Sequence, residues 1–139
     1  MVETVICRVE DGPSGRALEA RAELVGEDLV IVIGGGEQPH VGCAVLARPV
    51  RRRSGGGWSP STSVLTIPPH KEEAIARPIA EELVSKLGRV VVATAGVHDD
   101  CLDHEGIECY LRLAGELAAR LAAVLRDEVG VSDSPHSNG

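Results

Sequence analysis

"LVIVIGGGEQPHVGCAVLARP", residues 29–49, decides how this chain is read. Leu29, Val30, Ile31, Val32 and Ile33 form an unbroken aliphatic run that stops at Gly34, Gly35 and Gly36. A run this short and this rich in β-branched residues predicts a strand, since branching at Cβ suits a pleated surface and crowds a helix. Its continuity predicts a central strand, either covered on both faces or flanked by neighbours. Bare backbone directly after a buried strand serves a sharp turn or a ligand. Five residues after Gly36 "VGCAVLARP" resumes the strand pattern, so the glycines join two strands rather than a strand and a helix.

Working outward, "TVICRV" and "ALEARAEL" alternate apolar and polar residues as half-buried strands do, with turns at 11–15 and 26–28. "VRRRSGGGWSPST" predicts a long mobile connection, with Trp58 free to act as a lid or simply exposed, before a fifth strand, "STSVLTI". In "HKEEAIARPIAEELVSKLG" the spacing of Ile75, Ile79, Leu83 and Leu87, with Ala76, Ala80 and Val84 beside them, predicts one helical stripe ending at Gly88. Pro78 predicts a kink or a separate first turn. "RVVVAT" is a sixth strand, expected to run parallel beside the fifth across a right-handed helical crossover. Asp103 caps a long second helix whose inner face is expected to hold Ile107, Leu111, Ala114, Leu117, Ala118, Leu121 and Leu125. The expected fold is α+β: a two-layer domain with a mostly antiparallel meander sheet of about six strands and two helices. Residues 1–128 form a single domain, and 129–139 a flexible C-terminal tail. Such a sheet leaves an apolar face to cover, which predicts a homodimer or a higher homo-oligomer.

Composition narrows the function. The formal charge of −7 argues against a nucleic-acid partner, which needs clustered cations. No stretch approaches the ~20 apolar residues of a membrane span, and the N-terminus reads as a strand rather than a signal peptide. The expected location is cytoplasmic, with Cys7, Cys43, Cys101 and Cys109 reduced, and Cys43 and Cys109 in the core. Only 1% of residues are aromatic, so a flat ligand would find few rings to stack on.

Polar chemistry gathers in loops that follow strands. His40 comes after the glycine-rich end of the third strand, His70 opens the first helix, and His98 follows the sixth strand beside Asp99 and Asp100. Loops carried by one sheet edge are where sites are built. These groups could do three jobs. His40, His70 and His98 could hold a divalent metal ion with an open position. His98 with Asp99 could move protons. The helix start at His70 and Lys71 could hold a phosphate. The sequence carries no HExxH, CxxC or GxGxxG motif.

"GGGEQPHVG", "PPHKE" and "TAGVHDDCLDHEGI", in that order, resemble the three signature segments of the LpdD-like prenylated-flavin chaperones. These are small accessory components of gallate and hydroxyarylic-acid decarboxylases, and the resemblance runs from about residue 28 to 107. It implies a protein that binds the flavin nucleotide prenylated FMN and assists its loading in a partner UbiD-type decarboxylase, with no catalytic residue of its own. The positions it carries over are Pro39, His40, Gly42, His70, Lys71, Glu72, Ala95, Gly96, His98 and Asp100. On this reading Gly34, Gly35 and Gly36 let a planar ring lie against main-chain amides, with Gly35 and Gly36 counted in the site. The chain departs from the pattern at Pro68-Pro69, where a glycine commonly precedes the His-Lys pair, and in its insert-like arginine-glycine segment. Two other classes stay open: a small metal-dependent enzyme using the three histidines, with Glu72 or Asp99 as base, and a purely structural accessory protein.

Overall fold

Residues 3–68 and 72–132 are described by the computed structural model of the chain. The elements in order are β1 (Thr4–Glu10), β2 (Ala17–Val25), β3 (Asp28–Gly36), β4 (Cys43–Arg51), β5 (Trp58–Thr66), α1 (Glu73–Leu87), β6 (Val91–His98) and α2 (His104–Val129). The strands form one open sheet in the order β1-β2-β3-β6-β4-β5, antiparallel throughout except where β3 and β6 run parallel. Both helices pack on one face, giving the expected α+β class.

The order of neighbours differs from a simple meander. β6 inserts between β3 and β4, so the link after the glycines has to step across the end of β6 rather than turn tightly. The β5–α1–β6 crossover likewise skips a strand: β5 pairs only with β4, and the parallel neighbour of β6 is β3. The aliphatic run in β3 is therefore flanked on both edges and not covered on both faces. Leu29, Ile31 and Ile33 are buried against the helices, whereas Val32 lies half exposed on the other side.

The helix layer follows from sequence period. In α1 the expected seven apolar residues are all buried, and Gly88 closes the helix in a left-handed conformation that glycine adopts without strain. Pro78 does not break α1, which runs from Glu73 to Leu87 with Pro78 on its exposed side. Asp103 caps α2 by accepting from the Gly106 N–H at 2.8 Å. The inner face of α2 begins one position earlier than its aliphatic pattern suggests. Cys109, Tyr110 and Leu113 are buried, while Leu111 is exposed and Ile107 only half-buried. Cys7, Cys43 and Cys109 are core residues, and burial pushes the thiols of Cys7 and Cys43 up, which keeps them protonated.

Two expected loops are structured. Residues 49–61 are mostly strand, with a turn at 52–57, and Trp58 is 6% exposed. A Cβ at Gly88 would lie 2.3 Å from the Trp58 indole nitrogen, so the ring fills the space that this glycine leaves. Trp58 belongs to the packing and is no lid. At the C-terminus, Arg89 donates to the Val129 and Gly130 carbonyls and the Ser132 N–H donates to the Leu87 carbonyl. Residues 129–132 are thus tied down, although the sequence reads as a tail from 129 onward. Among the described residues no helix is long and apolar enough to cross a membrane.

Candidate functional site

β3 and β6 run parallel, so both end at the same sheet edge, and the loops after them meet there. The connection 37–42 crosses the open face over those strand ends. Its path explains the glycines. A Cβ on Gly96 would lie 1.5 Å from the His40 carbonyl oxygen, and one on Gly34 would lie 3.3 Å from the Pro39 Cβ. Only a bare backbone on β6 lets the chain pass this closely. Gly36, at φ +74°, turns the chain out of β3 beside Asp99 and the His98 carbonyl. The glycines make room first for the protein's own chain.

The three sequence segments thereby touch. The His98 carbonyl accepts from the Glu37 and Gln38 N–H groups at 2.9 and 3.2 Å. His40 places Nε2 3.0 Å from Glu72 Oε1 and Nδ1 3.1 Å from the Gln38 carbonyl. Both partners accept hydrogen bonds, so only the doubly protonated ring donates to both, and as a metal ligand His40 would have to release one. Glu72 makes no side-chain cap for α1, and its carboxylate turns to His40. It packs on Gly42, where a Cβ would meet it at 2.7 Å. His98 instead reaches outward to Asp100, with Nε2 3.2 Å from Oδ1, and the Asp100 side chain is 77% exposed. His70 and Lys71 lie outside the described residues. Among those described, no group of three His, Cys, Asp or Glu side chains comes together to hold a metal, so the metal-enzyme reading gains no support there.

A cleft of about 700 Å³ opens beside this junction. Gly34, Gly35, Gly36 and Pro39 form part of its wall, its cations are Arg8, Arg16 and Arg21, its acids are Glu19, Glu37, Asp99 and Asp100, and Val32 and Tyr110 also line it. Among its lining residues Asp99 is only 13% exposed at the side chain. It accepts from the Tyr110 hydroxyl at 2.5 Å and the Glu37 N–H at 2.9 Å, and it pairs with Arg16 at 3.7 Å. Burial first, and then the hydrogen bond and charge of Asp99, push the Tyr110 phenol well up, so it stays a neutral donor. Arg8 and Arg21 pair with Glu10 and Glu23 in exposed contacts that hold them weakly. A second hollow of about 280 Å³, almost wholly apolar, lies between α1 and α2, walled by Ile75, Val97, Leu102 and Leu111, with Glu72 and Tyr110 at its border.

Of the acidic pair after β6, then, the integrated one is Asp99, and Asp100 faces solvent. Arg8, Arg16, Arg21 and Tyr110 escaped sequence reasoning. The arginines sit on or beside two early strands with no motif around them. Tyr110 offered one signal, a phenol on an otherwise aliphatic helix face that needs a buried partner.

Removing the phenol while keeping the ring isolates that partner. Tyr110→Phe is expected to cost about 1.5–3 kcal/mol, the range for a hydrogen bond to a charged acceptor, read from urea unfolding at pH 7. The sign with pH follows from the raised phenol. Its contribution is intact below the unfolded tyrosine value of about 10 and is lost as pH climbs beyond that toward the folded value. The gap between the native protein and Tyr110→Phe should therefore be the same at pH 7 and pH 9 and shrink above about 10.

Residues 12–126 match the family described as the prenylated flavin chaperone LpdD-like domain. No curated protein matches the sequence. A solved structure, "Crystal Structure of a Novel Chaperone Complex for Yeast 20S Proteasome Assembly", is similar over 84% of this chain and 98% of that chain, at 7% identity and a TM-score of 0.46. With most of its length matched, including the segments that meet at the glycine crossing, the chain belongs to the prenylated-flavin chaperone LpdD-like family.

Proposed function

We propose that this chain binds prenylated FMN at the glycine-walled cleft and assists its loading into a partner UbiD-type decarboxylase, as a cytoplasmic accessory protein without catalytic residues. The observation that carries the reading is the composition of the cleft in a member of this family. Three guanidinium groups stand beside a wall of peptide backbone, interleaved with the carboxylates of Glu19, Glu37, Asp99 and Asp100; the guanidinium groups suit a phosphate dianion and the bare backbone suits a flat ring system. Arg16, held against Asp99 at the rim, and Arg8 bind the phosphate. The ring lies against the peptide planes of Gly35 and Gly36 and the side chain of Val32, because the cleft offers Tyr110 as its only aromatic wall among the described residues. The His40–Glu72 pair keeps the crossing loop seated on Gly96, and thereby sets the shape of that wall. The flavin's chemistry belongs to the partner enzyme.

The test is an absorbance titration of prenylated FMN into the purified chain. Binding in the micromolar range is expected. Arg8→Ala and Arg16→Gln should each weaken it about ten- to a hundredfold, the equivalent of one charge-assisted hydrogen bond. Coexpression with a UbiD-type decarboxylase and a flavin prenyltransferase should raise cofactor occupancy of the decarboxylase, and Arg16→Gln should abolish that gain. No spectral change at micromolar cofactor would end this reading.

A further inference from the structure

β5 is an edge of the sheet, and among the described residues it pairs with β4 alone. The register shows which of its backbone groups that pairing leaves over. Pro49 stands opposite Pro60, a rung with no N–H on either strand, and the Ile67 N–H donates to the Gly42 carbonyl at 3.0 Å. Alternation along an antiparallel ladder then turns the odd-numbered residues of β5 toward β4 and the even-numbered ones outward. The outward residues are Pro60, Thr62, Val64 and Thr66, with Pro68 next in phase. Read in either direction this row is the same: proline, threonine, valine, threonine, proline.

Such a row is complementary to itself. Two copies of β5 laid antiparallel about a two-fold axis at Val64 set Val64 against the partner's Val64 and Thr62 against the partner's Thr66. Every outward N–H on those rungs then meets a carbonyl. Pro60 meets the partner's Pro68, where neither offers a donor. Moving the axis to Thr62 or Thr66 would set Val64 against a proline and leave its carbonyl without an N–H. A strand from an unrelated protein would make no use of this symmetry. No charged residue falls between Trp58 and Pro68, whereas the opposite edge strand, β1, carries Arg8 and Glu10, side chains of the kind that keep an edge from pairing. The ridge of α1 beside β5 has its charges satisfied within the chain: Arg77 pairs with Glu73 and Glu81, and Glu81 accepts from the Thr62 hydroxyl at 2.5 Å.

We infer that two copies of this chain join edge to edge through β5, continuing one sheet across both protomers with the two-fold axis at Val64. Closed two-fold symmetry leaves no free β5 edge on which further copies could add. Leu65, exposed on the open face, comes diagonal to the partner's Leu65, within reach of a long side chain. The cleft takes none of its lining from β4 or β5, so the join does not cover it. The inference stands on the edge strand and not on the flavin reading.

Light scattering of the full chain, from micromolar to hundred-micromolar concentration, should reach twice the 14.6 kDa of the protomer. Amide hydrogen exchange reads the register. The Thr62, Val64 and Thr66 N–H groups should exchange slowly in the dimer and fast on dilution, while those of Ser61, Ser63 and Leu65, which face β4, stay slow in both. Thr66→Pro removes an outward donor and none from the β4–β5 ladder, as Pro60 already does. It should weaken association about tenfold or more, the worth of one donor lost on each side of the axis. Leu65→Lys, at a side chain 77% exposed, places like charges across the axis and should give protomer mass with unchanged far-ultraviolet circular dichroism. A native chain of protomer mass at hundred-micromolar concentration overturns the proposal. So does a dimer that both variants leave intact, or one whose three outward amides exchange as fast as in the dilute chain. Protection of those amides only after a decarboxylase is added would give the edge to that partner and overturn the proposal as well.

Discussion

Gly96→Ala is expected to be among the most damaging single substitutions in the molecule. The added Cβ would lie 1.5 Å from the His40 carbonyl oxygen and 2.1 Å from its carbon, both main-chain atoms that no rotamer change can move away. The crossing loop would have to lift off the sheet, breaking the Gly42 N–H bond to the Ala95 carbonyl and the His40–Glu72 contact with it. A loss of at least about 3 kcal/mol is expected, in the upper range for point substitutions, with flavin binding abolished because the cleft wall moves. Urea unfolding and the absorbance titration measure the two effects. Gly115→Ala is the control: nothing stands within 4 Å of its Cβ on α2, and it should stabilise by about 0.5–1 kcal/mol through helix propensity. If Gly96→Ala behaves like the control, the loop does not cross β6 as described.

Trp58→Ala separates packing from ligand contact. The indole is buried, lies over Gly88 at the end of α1, and carries the Arg51 guanidinium 4.7 Å from its ring centroid. Truncation should cost about 3–5 kcal/mol, as for other large buried aromatics, read as a lower urea midpoint. The affinity of the remaining folded protein for prenylated FMN should not change, since Trp58 is absent from the cleft wall. A weakened affinity at unchanged stability would restore the lid interpretation and remove the packing one.

The two cases show where reading a linear chain succeeds and where it stops. Helix α1 was legible because a stripe of seven aliphatic residues and a terminal glycine state both its face and its end within the segment itself. The α2 cap at Asp103 is equally local. The first two strands declare themselves by period and the third by its unbroken aliphatic run. Strand order does not, because pairing is settled by long-range burial: β6, made late in the chain, wins the place beside β3 through eight parallel rungs from Leu29–Val91 to Gly36–His98. The 49–61 segment misled for a related reason. Arginine, glycine and proline describe a poor local former of structure, yet pairing with β4 and burial of one tryptophan override that weak preference.

The site divides along the same line. The family signature and the glycine requirement are written along the chain, since each depends on short runs of adjacent residues, whereas the meeting of the strand-end loops follows from the pairing of β3 with β6. Which acid does the holding was decided only in three dimensions. Asp99 and Asp100 are equivalent as letters, but one faces Tyr110 and Arg16 and the other faces water. The arginines of the cleft lie on or just before strands more than seventy residues away from His98. By itself the sequence determined which segments are strands and helices, and that bare backbone was needed at their junction. The tertiary structure alone decided what fills that space, because a glycine specifies the absence of a side chain and only the fold supplies the neighbour.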